Sequence, residues 1–237
     1  VKSYCLVRDE KIMNRWFLYV LISLLIAAPW KWAHAGEASN RAHSSMLSFE
    51  VNYVYRTAGV GELKTIKNGD TLRSGDHYKI VFTPDKDCYV YIFQIDSSGQ
   101  IFQLFPMESF RGIRVNQFNP VKQGKKYVLP SPDKAFLLDK KVGIERMYFI
   151  ASHEQNKELE SLYAELTTAV TRKNSSGVKD TRSKLDKYFT RRGIKVVSSK
   201  QSTQVPWRET GDVFSVMSQE LENLSKERIH VLEFVHQ

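Results

Sequence analysis

The sequence predicts a mainly β protein: an antiparallel, sandwich-like sheet with an α-helical insertion near the C-terminus, α+β overall. Three observations predict it. Gly75–Pro106 contains three apolar or alternating runs, His77–Thr83, Cys88–Ile95 and Gln100–Phe105, separated by the turn sequences Pro84-Asp85-Lys86-Asp87 and Asp96-Ser97-Ser98-Gly99. The middle run is apolar on both sides, with Val90 and Ile92 on one and Tyr89, Tyr91 and Phe93 on the other, as in a strand covered twice. From Glu154 onward the apolar spacing changes from that of a strand to that of a helix.

Residues 1–35 read as a secretory signal. Lys11 and Arg15 supply the basic n-region and Trp16–Ala28 the apolar h-region. Pro29 breaks that run, and Ala33-His34-Ala35 fits the small-x-small cleavage pattern that would leave Gly36 first in the mature chain. Met13 stands where a start residue belongs, so 1–12 is an upstream extension or Val1 an alternative start. An apolar run of about 13 residues is short of the roughly 20 that a membrane span needs. If it stays uncleaved as an anchor, this segment is the expected membrane contact.

Residues 36–48 form a polar linker and 49–237 a single β-rich domain with its core at 72–152. Leu47–Arg56 alternates Phe49, Val51, Tyr53 and Tyr55 with polar residues, which predicts an early, half-exposed strand. Asn68-Gly69-Asp70 and Arg73-Ser74-Gly75-Asp76 are turns leading into the three-strand run. Four-residue hairpin loops would set Thr83 opposite Cys88 and Ile95 opposite Gln100. Tyr78, Ile80 and Phe82 would then lie beside Phe93, Tyr91 and Tyr89, with Phe102 and Leu104 continuing the same face. Val81, Val90, Ile92, Ile101 and Phe105 would face the other way and need a second sheet or helices as cover.

Met107–Val121 reads as a long loop rich in Asn, Gln, Gly and Arg. Lys126–Leu129, Ala135–Leu138 and Glu145–Ala151 are three further strands. Leu159, Leu162, Leu166, Ala169 and Val170 form a helical stripe, Lys173–Gly177 a break, and Val178–Arg192 a second, more basic helix stopped by Gly193. Ile194–Val197 reads as a short strand and Ser198–Val205 as a polar loop. Asp212 caps an expected third helix with the stripe Phe214, Met217, Leu221 and Leu224. The helical insertion thus spans 154–225, and a strand at 229–236 closes the domain.

Tyr89-Val90-Tyr91-Ile92-Phe93, followed by Asp96, Gly99 and the Leu104-Phe105-Pro106 ending, resembles a bacterial family known only as domain-of-unknown-function family 4384. That family shows a Y-V-Y-V-F strand, a D-x-x-G turn and an L-F-P strand end. The resemblance runs from about Leu72 to Ser152, through Asn119, Gly124, Leu129-Pro130, and Gly143 with Glu145. It implies an accessory module of exported proteins, sometimes joined to caspase-like peptidase or other catalytic domains. It brings no catalytic residues with it. The long insertion after Ser152 departs from the family's compact pattern and inherits nothing from it.

An apolar fraction of 42% with 13 Phe and 11 Tyr suffices for a core without staples, since each large side chain buried contributes roughly 1.5–3 kcal/mol. Only Cys5 and Cys88 occur, so an exported mature chain carries one thiol, no internal disulfide and no lipobox cysteine. Cys88 is expected as a small buried hydrophobe. The formal charge of +9 falls to about +6 once 1–35 is removed, leaving 30 basic against 24 acidic residues. Outside the cytoplasm such a balance favours anionic glycans, lipid head groups or an acidic protein as partners.

No catalytic constellation emerges from the spacing. The hairpin register would hold Cys88 and His77 some 20 Å apart, at about 3.3 Å per residue, too far for a nucleophile–base pair. Asp96-Ser97-Ser98-Gly99-Gln100 has one carboxylate and lacks the ligand spacing of a calcium loop. The six histidines are scattered, and there is no phosphate-cradling loop or G-x-S-x-G elbow, so no metal, cofactor or catalytic residue is expected. Candidate partner-binding residues are Phe110, Arg111, Arg114 and Phe118 in the long loop, and Lys184, Lys187 and Arg191 on one face of the basic helix. Asp180 and Asp186 interrupt that basic run and argue against nucleic acid. The expected function is a periplasmic or secreted, non-catalytic module of a Gram-negative bacterium that binds another envelope protein. Its alternatives are a binder of anionic glycan or lipid through the basic helix, and a hydrolase whose site assembles from the Met107–Val121 loop and His153.

Overall fold

The structure, a computed structural model, describes residues 46–190, 192–193, 196–225 and 228–237. The signal at 1–35, its start at Val1 or Met13 and most of the 36–48 linker lie outside the described residues. In chain order the first strands are β1 (Leu47–Arg56), β2 (Lys64–Thr65), β3 (Thr71–Leu72), β4 (His77–Pro84), β5 (Tyr89–Ile95) and β6 (Ile101–Phe105). There follow β7 (Met107–Phe110), β8 (Ile113–Gln117), β9 (Tyr127–Leu129), β10 (Phe136–Leu137) and β11 (Gly143–Ser152). Helices α1 (Lys157–Thr171) and α2 (Ser175–Phe189) precede β12 (Arg192–Gly193), β13 (Val196–Trp207), β14 (Asp212–Leu224) and β15 (Arg228–His236).

Two sheets stack face to face. One runs β10-β4-β1-β14-β13, with β2 on β1 and β9 on β4; the other runs β12-β15-β11-β5-β6, with β3 on β15. Alternation along each strand sorts its side chains. Phe49, Val51 and Tyr53 of β1 and Tyr78, Ile80 and Phe82 of β4 point inward, where they meet Val90, Ile92, Phe105 and Phe149 of the second sheet. Phe149 lies edge-on to Phe49 and Phe82 at centroid distances of 5.0 and 5.4 Å. The other side of the second sheet carries Tyr91, Phe93, Tyr148 and Ile150, covered by Leu159 and Leu166 of α1 and Leu185, Tyr188 and Phe189 of α2. The fold is therefore mainly β with three layers, sheet on sheet on helix pair. No helix among the described residues is long and apolar enough to cross a membrane.

Helix α1 is fastened to the sheet at its first turn. The Asn156 side chain accepts the Leu159 N–H at 3.1 Å, an N-cap. Tyr91 of β5 accepts the Asn156 N–H at 2.9 Å and donates to Glu160 at 2.7 Å. Asn174 caps α2 in the same way, accepting the Gly177 N–H at 3.1 Å.

The outer face of the first sheet holds a smaller cluster of Val54, Val81, Val128, Ala135, Val205 and Trp207. Lys79 is fully buried there. Its three N–H bonds go to the carbonyls of Ser131, Pro132 and Pro206 at 3.2, 2.8 and 3.1 Å, and its Nζ lies 4.8 Å over the Trp207 ring. Burial pulls its pKa down to about 8.

Several expectations are corrected. The strands β4 and β5 do not form a hairpin: both edges of β4 are taken, by β1 and by β9 and β10, so the chain crosses from one sheet to the other at Asp85–Asp87. Tyr78, Ile80 and Phe82 thus share a core with Val90 and Ile92, not with Tyr91 and Phe93. The β5–β6 hairpin is real but shifted, with Ile95 opposite Ile101 and Phe102 opposite Gln94. An extra residue on β6 then turns both Leu104 and Phe105 inward. β1 is a central strand rather than a half-exposed one, and it begins at Leu47, already buried, so the domain starts before residue 49.

The expected third helix is strand β14, and the polar loop before it is strand β13. The helices span only 157–189 of the expected 154–225 insertion, because 196–224 returns to the first sheet. Leu221 and Leu224 mimic helical spacing through a bulge: Leu47 and Phe49, two apart, face Leu224 and Leu221, three apart. Asn223 takes φ 64° there. Phe214 and Met217, by contrast, fall on opposite faces, and Met217 is exposed. Lys173–Gly177 is the capped start of α2 rather than a longer break. Gly193 pairs with β15 instead of ending the helix, and 194–195 lie outside the described residues.

His230 of β15 is buried with no partner for Nε2, and its ring lies 5.7 Å from that of Tyr53. Burial lowers its pKa from 6.5 to about 4. The unfolded chain therefore takes up this proton first as pH falls. The contribution of neutral His230 is full above pH 6.5 and is lost on the way down through pH 4. Urea melts are expected to show a loss of up to about 3 kcal/mol from this group between those limits. His230→Phe should remove that part of the slope; an unchanged slope would contradict the assignment.

Candidate functional site

The segment expected as a loop at Met107–Val121 is largely a β7–β8 hairpin. Its turn is Arg111-Gly112, with φ of 47° and 78° at the two central positions, the left-handed pair of a type I′ turn. Only glycine takes such a φ freely, which makes Gly112 the residue that permits the turn. Beside the turn, Phe110 packs edge-on against Phe136 at 5.2 Å, and at the base Gln117, opposite Met107, donates to the carbonyls of Val128 and Pro130 at 2.7 and 3.0 Å. Asn119 mimics a strand partner for Val90, accepting its N–H at 2.9 Å and donating to its carbonyl at 2.8 Å. Around the turn Arg111 and Arg114 are exposed, with Ile113 at 43%, and at the base so is Phe118, at 52%.

Of the residues expected to bind a partner, Arg111, Arg114 and Phe118 are thus presented to solvent. Phe110 is instead an anchor, with the Arg111 guanidinium 5.4 Å over its ring. Lys184 and Lys187 are exposed on α2, a different element, whose other side buries Leu185, Tyr188 and Phe189. Arg191 lies outside the described residues. Ile113 was missed because an isoleucine in an Asn- and Arg-rich stretch carries no periodic signal.

The Cys88 thiol is buried, bridged through its backbone to Val121, and pushed up to about 12 by burial and by Asp85 and Asp87. The His77 ring packs on Gly59 and lies 3.9 Å from Glu209. His153 is exposed just past β11. Asp96 accepts the Gln100 N–H and the Ser98 hydroxyl, each at 2.7 Å, an ordinary turn. Among the described residues, no group of three or more His, Cys, Asp or Glu side chains could hold a metal ion.

One polar chain was not foreseen. At one end of the sandwich Ser74 Oγ lies 3.1 Å from His236 Nε2, and His236 Nδ1 lies 3.5 Å from Glu145 Oε1. The latter contact is an ion-pair approach without hydrogen-bond alignment. Gln94 Nε2 donates to Glu145 Oε2 at 2.8 Å, the Ser97 N–H donates to Oε1 at 3.3 Å, and Tyr78 donates to Gln94 Oε1. Burial raises the Glu145 pKa, opposed by these hydrogen bonds and by His236. Ser74 and His236 are 162 residues apart in sequence. The legible signal was parity: Glu145 falls in phase with Met147 and Phe149, and His236 with Leu232 and Phe234, all inward-facing.

The order serine, imidazole, carboxylate is that of an activated nucleophile. The backbone around it is not. The N–H groups of Ser74, Gly75 and Asp76 donate to the carbonyls of Gln237, Leu138 and Arg73 at 2.7, 3.0 and 3.0 Å. None of the three is left to receive an oxyanion. The chain of contacts instead ties the end of β15 to the Arg73–Asp76 turn.

Residues 71–155 match the model of a family described as Domain of unknown function (DUF4384), which agrees with the resemblance read from Tyr89–Phe93 and its flanking motifs. The match runs from β3 to just past β11; β1, both helices and β12–β15 lie outside it. Ser74 and Glu145 are inside the matched segment and His236 is not. No curated protein and no solved structure matches the chain.

With its neighbouring amides engaged, Ser74 is expected to stay unmodified by a fluorophosphonate probe in intact-mass measurements. Ser74→Ala should cost about 1 kcal/mol in a denaturant melt, the net worth of one hydrogen bond. A phosphonylated Ser74 would instead assign it a nucleophilic role.

Proposed function

We propose that this chain is an exported, non-catalytic accessory module that binds another protein of the cell envelope, with the β7–β8 hairpin as its contact surface. The observation that carries the reading is a hairpin pinned beside its turn by Phe110 and at its base by Gln117 and Asn119, while Arg111, Ile113 and Arg114 around the turn and Phe118 at the base stay exposed. Exposed aromatic and aliphatic side chains flanked by arginine are the composition of a protein-binding patch. A base held by side-chain bonds to backbone lowers the ordering cost of binding. Export rests on Lys11, Arg15, the Trp16–Ala28 run and the Ala33-His34-Ala35 site.

A photo-crosslinking residue placed at Phe118 or Ile113 in the intact envelope is expected to give a discrete adduct, whereas one at the equally exposed Val60 gives none. Arg114→Glu should weaken the complex about tenfold, as for a moderate hot spot. Charge reversal at Lys184 and Lys187 should leave the adduct intact. An adduct lost on that reversal would move the contact to the basic helix, and no adduct at either hairpin position would sink the proposal.

A further inference from the structure

Away from the hairpin, α1, α2 and the strand β6 enclose an open groove of about 370 Å³ that no role described above uses. Its walls are mostly apolar, with Ile101 and Phe102 from β6, Tyr163, Leu166 and Val170 from α1 and Val178 from α2, and Gln100, Thr167 and Thr171 adding polar groups. Phe102 and Val170 are 44% and 55% exposed, although both sit beside a packed core. Arg182 of α2 lines the same groove and is half-buried. Its guanidinium rests on the β5–β6 turn, where a side-chain carbon on Gly99 would come within 2.5 Å of Nη2. Gly99, at φ 73°, thus gives the turn its shape and the arginine its seat. Among the described residues no carboxylate pairs with Arg182. Asp96, in the same turn, is engaged by Gln100, Ser98 and Lys141.

A half-buried, positioned cation without an anion, at an apolar groove, calls for a ligand that joins an apolar tail to one negative charge. An extended peptide suits it less well. Strand addition to the β6 edge is blocked at Gln103, whose N–H donates to the Tyr163 hydroxyl at 3.1 Å. The volume lies at the small end of ligand sites, roughly 300–1,000 Å³. We infer that the groove binds a medium-chain acyl carboxylate, its tail between Ile101, Leu166 and Val170 and its head group paired with Arg182.

The test is titration calorimetry of the full chain with octanoate, decanoate and decan-1-ol, with amide shifts followed by NMR. Decanoate is expected to bind one to one, about tenfold more tightly than octanoate for its two further buried methylenes. Arg182→Met should weaken decanoate about tenfold, the worth of a charge-assisted pair, and leave decanol unchanged. Val170→Asp, at an exposed helix position, should weaken both while leaving the melting curve in place. Absence of saturable decanoate binding below its micellar range, equal binding by Arg182→Met, or shifts centred away from Gly99, Phe102 and Val170 would each overturn the inference.

Discussion

Both faces of the strand Tyr89–Ile95 are apolar, and the architecture follows from covering them. Val90 and Ile92 require a second sheet, and Tyr91 and Phe93 require something on the other side. Each of these side chains contributes roughly 1.5–3 kcal/mol when removed from water, so neither face tolerates exposure. The segment that matches the family model supplies β3 to β11, and of the cover only what β4, β9 and β10 give. The central β1, the β14 beside it, the β15 beside β11 and both helices all come from outside that segment. The matched stretch is therefore one part of a single core to which both flanks contribute, and its strands are bonded to chain on either side of it.

Local pattern announced most of the elements and few of their partners. Leu47–Arg56 was legible in full because its alternation is regular, and the three strands around Gly75–Pro106 were legible within a residue or two. Alternation says which residues share a face of one strand. It does not say which strand lies alongside, and for that reason β4 and β5 were joined as a hairpin when they belong to different sheets. Where a bulge intervenes, the pattern misleads: Leu221 and Leu224 acquire helical spacing while remaining on a strand. Phe102 was assigned to the face of Phe93 because the turn at Asp96–Gly99 was counted one residue short.

The candidate sites divide the same way. Arg111, Arg114 and Phe118 could be singled out from composition, but that they ride on a hairpin depends on an Arg-Gly pair adopting left-handed geometry. The contacts linking Ser74, His236 and Glu145 gather, at one end of the sandwich, residues up to 162 apart in sequence, and had no local trace beyond polar residues in phase with apolar ones. The groove at Arg182 needs two helices and a turn at once. Surfaces of this kind follow from tertiary assembly, whereas strands and caps follow from neighbours in sequence.

Lys79 carries a consequence of its own. Its ammonium group has traded its water for three carbonyl oxygens and an indole face, drawn from the Ser131–Pro132 turn and the end of β13. An amine so enclosed is chemically silent toward acylating reagents while the sheet is closed, unlike the lysines on α2. Once β13 separates from the sheet, the same nitrogen returns to water, regains its ordinary hold on the proton and becomes as open to acylation as the lysines on α2. The protein thus carries a built-in marker of its own opening, readable by mass alone.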